Sequence, residues 1–357
     1  MNKLLIAFFL FLLPFGWIKA TASSHPESFP WKAQWINTER CQSATNTWLI
    51  YRKSFAVTDV PNQLIARIAA DSKYWLWIND QLVVFEGGLK RGPSPSGTYY
   101  DPVDIAPYLT KGSNTIAILL WHFGKDGFSH INSGKAALLF EAIAPGLEIV
   151  SDASWQCALY EAYQNTDAPF PNYRMPESNI RFDARQAITN WNRTSFEGSL
   201  PGAVCVGKAG KAPFGELVER PIPQWKNSGL LSYVSVRESL KGDTLFCRLP
   251  YNAQITPYLK VEAEAGKTIH IRMDNYEGGS ERNVRAEYIT REGEQEYESY
   301  GWMNGHEVYY IIPEGVKGLD VKNRETGYNT DLAGSFHCDD PFYDELWQRS
   351  ARTLYIT

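Results

Sequence analysis

Hydrophobic and polar positions alternate over much of the chain. In residues 285–331, aromatic and β-branched side chains alternate with charged ones, and Gly, Asn and Pro interrupt the run at short intervals. A period of two with frequent breakers is typical of β-strands joined by tight turns. The same period recurs in residues 64–85 and 255–276. In residues 64–85 it predicts a hairpin with its turn at Asn79 and Asp80.

The last stretch changes to a helical period. Asp339 or Asp340 supplies an N-cap, and Pro341 suits the first helical position. Apolar residues then recur at helical spacing; they are Phe342, Leu346, Trp347, Ala351 and Leu354. A lone amphipathic helix needs a surface on which to bury its apolar face. We therefore expect this helix either to fold back onto the strands or to pack against further helices.

The strand and breaker spacing divides the chain into segments. We predict a jelly-roll sandwich over residues 30–145, an irregular connecting segment over 146–225, a second sandwich over 226–335 and a helical start over 336–357. The predicted fold class is all-β, with two β-sandwich domains, the connector and one C-terminal helix.

Composition and the N-terminus narrow the class of protein. The formal net charge is −5 without a long basic tract, so nucleic acid is not an expected partner.

Residues 1–22 combine Lys3, an apolar run and a small-x-small site ending at Ala22, which predicts a signal peptide and a secreted or periplasmic protein. The alternative is a membrane anchor, although the run is short for a span. We expect no membrane span after signal cleavage. The five cysteines show no zinc-ligand spacing.

The order of motifs resembles that of bacterial α-L-rhamnosidases over nearly all of the predicted mature chain. The resemblance rests on ADSKYWLWIND (70–80), TYYDPVDI (98–105), PYLTKGSNTIAI (107–118), WHFG (121–124), NIRFDARQ (179–186), PFGELVERPIPQW (213–225), residues 286–331 and SFHCDDPFYDELWQRSARTLYIT (335–357). It implies that the second sandwich is concanavalin-like. It also implies that residues 336–357 begin an (α/α)6 catalytic barrel that is truncated here.

The resemblance implies no catalytic residue in this chain, because the family's acidic motif lies in the barrel beyond the first helix. We therefore expect the chain alone to be inactive. Glu294, Glu296 and Glu298 alternate on a predicted strand, with same-face neighbours about 6.6–7 Å apart. That spacing fits the carboxyl pair of an inverting glycosidase, but we interpret these residues as a solvated face. His122 and His130 are expected to be loop or core residues.

Candidate binding residues lie mainly in the first predicted sandwich. The chain has 12 Trp, 20 Tyr and 17 Phe, which serve either as sandwich core or as stacking surfaces for sugars. The predicted carbohydrate-binding residues are Arg91, Tyr99, Tyr100, Trp121, Trp302 and Asn304. The predicted calcium ligands are Asp71, Asn79 and Asp101, with Asp104 nearby; related rhamnose-binding modules hold sugar hydroxyls through such an ion. The alternative is that these residues cap turns, fill the core or lie in solvent.

Two functions follow from these observations. In the first, the chain is the N-terminal part of a secreted α-L-rhamnosidase-like glycoside hydrolase that acts on rhamnose-containing plant glycans or glycosides, with its catalytic barrel missing from this chain. In the second, it is a stand-alone carbohydrate-binding, lectin-like module without catalysis. Rhamnose-containing glycans are the expected partner in both.

Overall fold

A computed structural model describes residues 30–88, 97–127, 130–168, 180–276 and 284–356. The predicted signal peptide and Arg91 lie outside these ranges. From Lys32 onward the described residues belong to one compact unit, and only that unit is considered below. Its elements are almost entirely β-strands, with one α-helix and two short 3-10 helices at Ala106–Tyr108 and Ala184–Gln186. The predicted all-β class is confirmed.

The strands follow in chain order. They are β1 (Gln34–Asn37), β2 (Thr47–Val57), β3 (Ile65–Asp71), β4 (Lys73–Ile78), β5 (Gln81–Gly88), β6 (Thr98–Asp104), β7 (Gly112–His122), β8 (Ala137–Ala144), β9 (Leu147–Val150), β10 (Gln156–Leu159), β11 (Tyr163–Asn165), β12 (Ile180–Asp183), β13 (Val204–Lys208), β14 (Leu217–Glu219), β15 (Lys226–Leu231), β16 (Ser235–Glu238), β17 (Thr244–Ala263), β18 (Thr268–Met273), β19 (Arg285–Ile289), β20 (Gly293–Glu298), β21 (Met303–Ile311) and β22 (Val316–Gly327). The helix α1 spans Pro341–Ile356.

The first sandwich has two sheets. The outer sheet has the strand order β13-β1-β8-β3-β6-β14, with β9 paired to β8, and the inner sheet has the order β10-β2-β7-β4-β5. Between them lies a core that includes Ile68, Leu76, Ile118 and Phe140, all fully buried. The predicted hairpin turn is confirmed, because Asn79 joins β4 to β5 with a φ of 46° and the residue after it has a φ of 70°. Two positive φ angles are typical of the type I′ turn that matches strand twist.

The connecting segment is more ordered than its sequence predicts. It supplies β9, β10, β13 and β14 to the first sandwich and β11 and β12 to the second domain. These strands are 3 to 5 residues long. A strand this short completes too few periods of two to be distinguished from a loop. The segment therefore joins the two domains by pairing with both of them.

The strands of the second domain pair in the order β11-β12-β19-β18-β21-β17-β22-β15, and β16 and β20 also pair with β17. The register shifts between Arg248 and Ala253, in the middle of β17. The first part of β17 pairs with β16 and the last part with β20. Alternating burial along β18, with Ile269, Ile271 and Met273 inside, confirms the period of two read from the sequence.

Helix α1 begins as its sequence predicts. The Asp340 carboxylate accepts a hydrogen bond from the Phe342 backbone N–H at 3.0 Å, which makes it the N-cap. The helix has no buried residue. It contacts the second domain near its C-terminus, where Tyr355 accepts a backbone bond from Tyr328 at 2.6 Å and Arg352 lies over the Tyr251 ring. Within the described residues, no helix has the length and apolar character that a membrane span requires.

Candidate functional site

The inner sheet is apolar on both faces, which determines where the aromatic residues lie. All six residues of β4 are buried, whereas a sheet with one solvated face alternates. Its second face carries Trp48, Trp75, Trp77 and Trp121, which join a single apolar cluster with residues of the connector and second domain. We call this layer the aromatic junction. It brings the two sandwiches into direct contact.

Ring contacts cross the aromatic junction along its length. Trp48 stacks on Tyr163 with centroids 3.9 Å apart, and Trp75 lies 4.6 Å from Tyr300. The first pair is stacked and the second is tilted, and aromatic pairs contribute stability beyond the area that they bury. Trp121, predicted to stack on sugar, is fully buried and stacks on Trp48 at 4.4 Å instead. Its ring is therefore closed to a ligand.

Trp302, another predicted sugar-binding residue, contacts the inner sheet through Lys73. The Lys73 ammonium lies 3.8 Å from the centroid of the Trp302 ring and 3.3 Å from the Glu86 carboxylate. The Lys73 and Glu86 side chains are both fully buried. A cation over an indole face is attracted by the ring quadrupole. Trp302 thus holds the second domain to the first, while Asn304 lies nearby on β21 with an exposed side chain.

Asp101, a predicted calcium ligand, is the centre of a buried ion pair. Its carboxylate lies 2.6 Å from the Arg220 guanidinium. It also accepts hydrogen bonds from the Tyr74 hydroxyl at 2.8 Å and the Gly88 N–H at 3.0 Å. Arg220 in turn donates to the Gly88 carbonyl. The carboxylate is therefore occupied by protein donors.

Asp71 is held in a second buried cluster. It accepts from the Ser133 N–H at 2.8 Å and lies 3.1 Å from Nδ1 of His122 and 3.5 Å from Nε2 of His130. Burial raises the pKa of this carboxyl, but hydrogen bonds and charge from the two histidines outweigh burial, so that the pKa lies far below its ordinary value. His122 and His130 are both buried. They are therefore core residues, one of the two positions that the sequence analysis expects for them.

The three predicted calcium ligands do not come together. Asp71 precedes β4 and Asn79 follows it. A strand of six residues is about 20 Å long, so the two side chains cannot share one ion. Its amide bonds the Tyr108 carbonyl and Asn114 and so fixes the turn. Within the described ranges, no group of three or more His, Cys, Asp or Glu is arranged to hold a metal ion. The residues present do not fit the calcium site that the sequence predicts.

Tyr99 and Tyr100 are adjacent on one strand of the first sandwich, whereas Trp302 and Asn304 lie in the second domain. Tyr99 and Tyr100 are half-buried on β6, which pairs with β14 at the edge of the outer sheet. The Tyr100 hydroxyl donates to Glu219 at 3.3 Å. Asp104 caps the turn that follows β6, accepting from Leu64 and Ala106 N–H groups. The described residues therefore do not assemble the predicted patch.

The Asp71 cluster predicts a specific acid dependence. A depressed folded-state pKa contributes stability above the unfolded value of about 3.9, and that contribution is lost as the pH falls towards the folded value. We expect Asp71→Asn to lower the free energy of unfolding at pH 7 by roughly 2 kcal/mol and to flatten its decline below pH 4. Chemical denaturation at several pH values measures both effects. Asp320→Asn, at an exposed residue paired with Lys322, should follow the parent protein, and equal slopes for all three would contradict the prediction.

A groove of about 570 Å3 opens beside the aromatic junction. Its walls come from the inner sheet, the connector and the second domain. We define it by Trp77, Asp80, Leu82, Leu119, Tyr160, Tyr163, Phe182, Ala184, Ala187, Ile188, Thr189, Asn190, Trp191, Asn192, Arg193, Leu230, Tyr258, Tyr288, Arg291, Glu296, Tyr297, Glu298, Tyr300 and Arg324. Its size lies within the range of small-molecule sites, which makes it the best candidate site among the described residues.

Two of the three alternating glutamates line this groove. Glu298 forms a two-bond ion pair with Arg324, at 2.7 and 3.0 Å. Glu296 accepts from the Tyr258 hydroxyl at 2.7 Å. Glu294, outside the groove, pairs with Lys260. The strand carries partnered carboxylates, and Glu298 is only 14% exposed, so the predicted solvated face holds for Glu294 and Glu296 only.

Sequence reasoning missed both the aromatic junction and the groove. The available signal was the unbroken apolar run of β4, which is typical of a strand covered on both faces. Only the tertiary fold brings Arg193, Tyr258 and Arg324 to one opening, since they lie in different segments of the chain.

Comparison with solved structures gives the same architecture. The GH78 family rhamnosidase of Bacillus sp. GL1 aligns with a TM-score of 0.78 at 18% identity, over 91% of this chain and 58% of that one. The α-L-rhamnosidase of Aspergillus terreus aligns with a TM-score of 0.66, and that of Dictyoglumus thermophilum with 0.63. Each of these two is 20% identical and is matched over 88% of this chain and 38% of its own.

The chain therefore spans between about two fifths and three fifths of these solved structures. No protein-family model matches the sequence, and no curated protein matches it. At this level of identity the likeness concerns the fold. It confirms that the chain has the β-domain architecture of solved α-L-rhamnosidases, as the motif order predicts.

Proposed function

We propose that this chain is the non-catalytic β-part of an exported, rhamnosidase-related glycoside hydrolase that acts on rhamnose-containing glycans. The observation that carries the proposal is the alignment with the Bacillus rhamnosidase over 91% of this chain at a TM-score of 0.78. That alignment leaves a large remainder of the Bacillus protein for a further domain. The activity of the whole protein would reside there.

The exposed face of α1 supports this assignment. Phe342, Leu346 and Leu354 are 62%, 48% and 70% exposed on a helix that has no buried residue. A contiguous exposed apolar stripe of this kind marks an interaction surface. Helices of a catalytic barrel are the partner that we propose for it. The described β-domains would then present that barrel and shape its surroundings.

The described carboxylates are consistent with a non-catalytic role. Glycoside hydrolysis needs one carboxyl that donates a proton and a second that activates water or attacks the sugar. In the groove, Glu298 is held by Arg324 and Glu296 by the Tyr258 hydroxyl. Both carboxylates are therefore engaged by neighbouring side chains, which supports a non-catalytic role for them. A stand-alone carbohydrate-binding module is the second candidate, and the groove is the observation that favours it.

An assay on an aryl α-L-rhamnoside tests the proposal. We expect this chain alone to release no aryl alcohol above buffer, and the complete gene product that contains it to release rhamnose. Turnover by this chain alone would show that the chemistry lies in the β-domains. A complete gene product with a helical domain but no rhamnosidase activity would contradict the substrate assignment. A gene product without a helical domain would favour the binding module.

A further inference from the structure

The groove has the size and lining of a small-molecule site. Its volume of about 570 Å3 accommodates a mono- or disaccharide, because small-molecule sites typically measure about 300–1,000 Å3. Half-buried Leu82, Tyr258 and Tyr300 contribute apolar surface at the opening. Thr189 and Asn190 are exposed on the opposite, connector side. A molecule in the groove would contact both kinds of surface.

Charge along the groove is balanced. The cationic lining residues are Arg193, Arg291 and Arg324, and the anionic ones are Asp80, Glu296 and Glu298, which gives a formal charge of zero. All six of these residues already bond within the protein. Glu298 pairs with Arg324, Asp80 accepts from Thr194, and Glu296 accepts from the Tyr258 hydroxyl. Arg193 and Arg291 donate to the backbone carbonyls of Asp80 and Glu294. A strongly charged ligand would find no complementary excess of charge. The lining fits a neutral molecule.

A molecule that fits the groove needs apolar faces for the rings of the lining and hydroxyl groups for its polar side chains. Ring faces pack against the C–H surfaces of a pyranose, and charged side chains make strong hydrogen bonds to its hydroxyls. Exposed Glu296 is an acceptor, while exposed Arg193 is a donor. Leu82 and Leu230 offer aliphatic surface for the methyl group of a deoxyhexose.

We propose that the groove between the two sandwiches is a binding site for a neutral saccharide, with a deoxyhexose of the rhamnose type as its first ligand. The choice of sugar rests on the proposed function. The site itself rests on the groove's volume, its lining and its charge balance. It lies outside the first-sandwich patch that the sequence predicts.

Calorimetric titration of this chain with L-rhamnose, with cellobiose and with D-glucuronate tests the proposal. We expect L-rhamnose to bind and D-glucuronate not to bind. Glu296→Gln should weaken binding about tenfold, or about 1.4 kcal/mol, because a neutral amide oxygen replaces a charged acceptor of the sugar hydroxyl. Thr189→Trp should abolish binding by filling the opening from an exposed position.

Glu294→Gln is the matched control, since Glu294 lies two residues earlier on β20 and does not line the groove. Its affinity should stay within about twofold of the parent protein, and unchanged circular dichroism of each variant shows that it folds. Rhamnose binding that neither groove variant weakens would overturn the proposal while leaving the proposed function intact. Cellobiose binding that both variants weaken, without rhamnose binding, would support the groove and count against the rhamnose assignment. Binding of none of the three probes would overturn the site.

Discussion

Asp101→Asn should lower the free energy of unfolding by about 3–5 kcal/mol, which is the usual effect of removing one partner of a buried ion pair. The asparagine keeps the volume of the side chain and still accepts from the Tyr74 hydroxyl. It leaves the Arg220 guanidinium, 9% exposed in the parent protein, without its carboxylate. Urea denaturation followed by circular dichroism measures the loss.

A matched control and a second variant make this result specific. Asp59→Asn removes an 88% exposed carboxylate that lies 3.9 Å from Lys111, and should change stability by less than about 0.5 kcal/mol. Adding Arg220→Met to Asp101→Asn should restore part of the loss, because the uncompensated charge is removed. Similar losses for Asp101→Asn and Asp59→Asn would refute the pairing.

The role of Asp101 in an ion pair could not be predicted from the sequence. A carboxylate beside Tyr99 and Tyr100 at a strand end has the chemistry of a sugar or calcium ligand. Nothing near it in the chain reveals that Arg220 arrives through β14, which pairs in parallel with β6. Oxygen ligands and ion-pair partners are the same residue types. Only the tertiary fold distinguishes the two roles.

Local structure was easier to predict from the sequence than tertiary contacts, because it depends on residues that are neighbours in the chain. Alternation predicted β4, β17 and β18, and two residues with turn propensity predicted the hairpin turn at Asn79 and Asp80. Capping chemistry at Asp340 and Pro341 predicted the start of α1. The connector resisted prediction because its strands are short and each is stabilised by a distant partner strand. The groove was inaccessible for the same reason.

The largest apolar effect should come from Trp75→Ala, which we expect to destabilise the protein by about 3–5 kcal/mol. Trp75 is fully buried in the aromatic junction, where it lies 4.6 Å from Tyr300 and edge-on to Phe85 at 6.4 Å. Removing the indole leaves a cavity between two sheets that cannot easily close. The loss should also weaken the coupling between the sandwiches.

Denaturation followed by two probes separates these effects. In the parent protein, tryptophan fluorescence and far-ultraviolet circular dichroism should give coincident transitions, because the two sandwiches share one apolar cluster. In Trp75→Ala the two transitions should separate. Trp347→Ala is the matched control, since Trp347 is 37% exposed on α1, and it should change stability by less than about 1 kcal/mol. If Trp75→Ala unfolded in one transition with a loss no larger than that of the control, the aromatic junction would not be what joins the sandwiches.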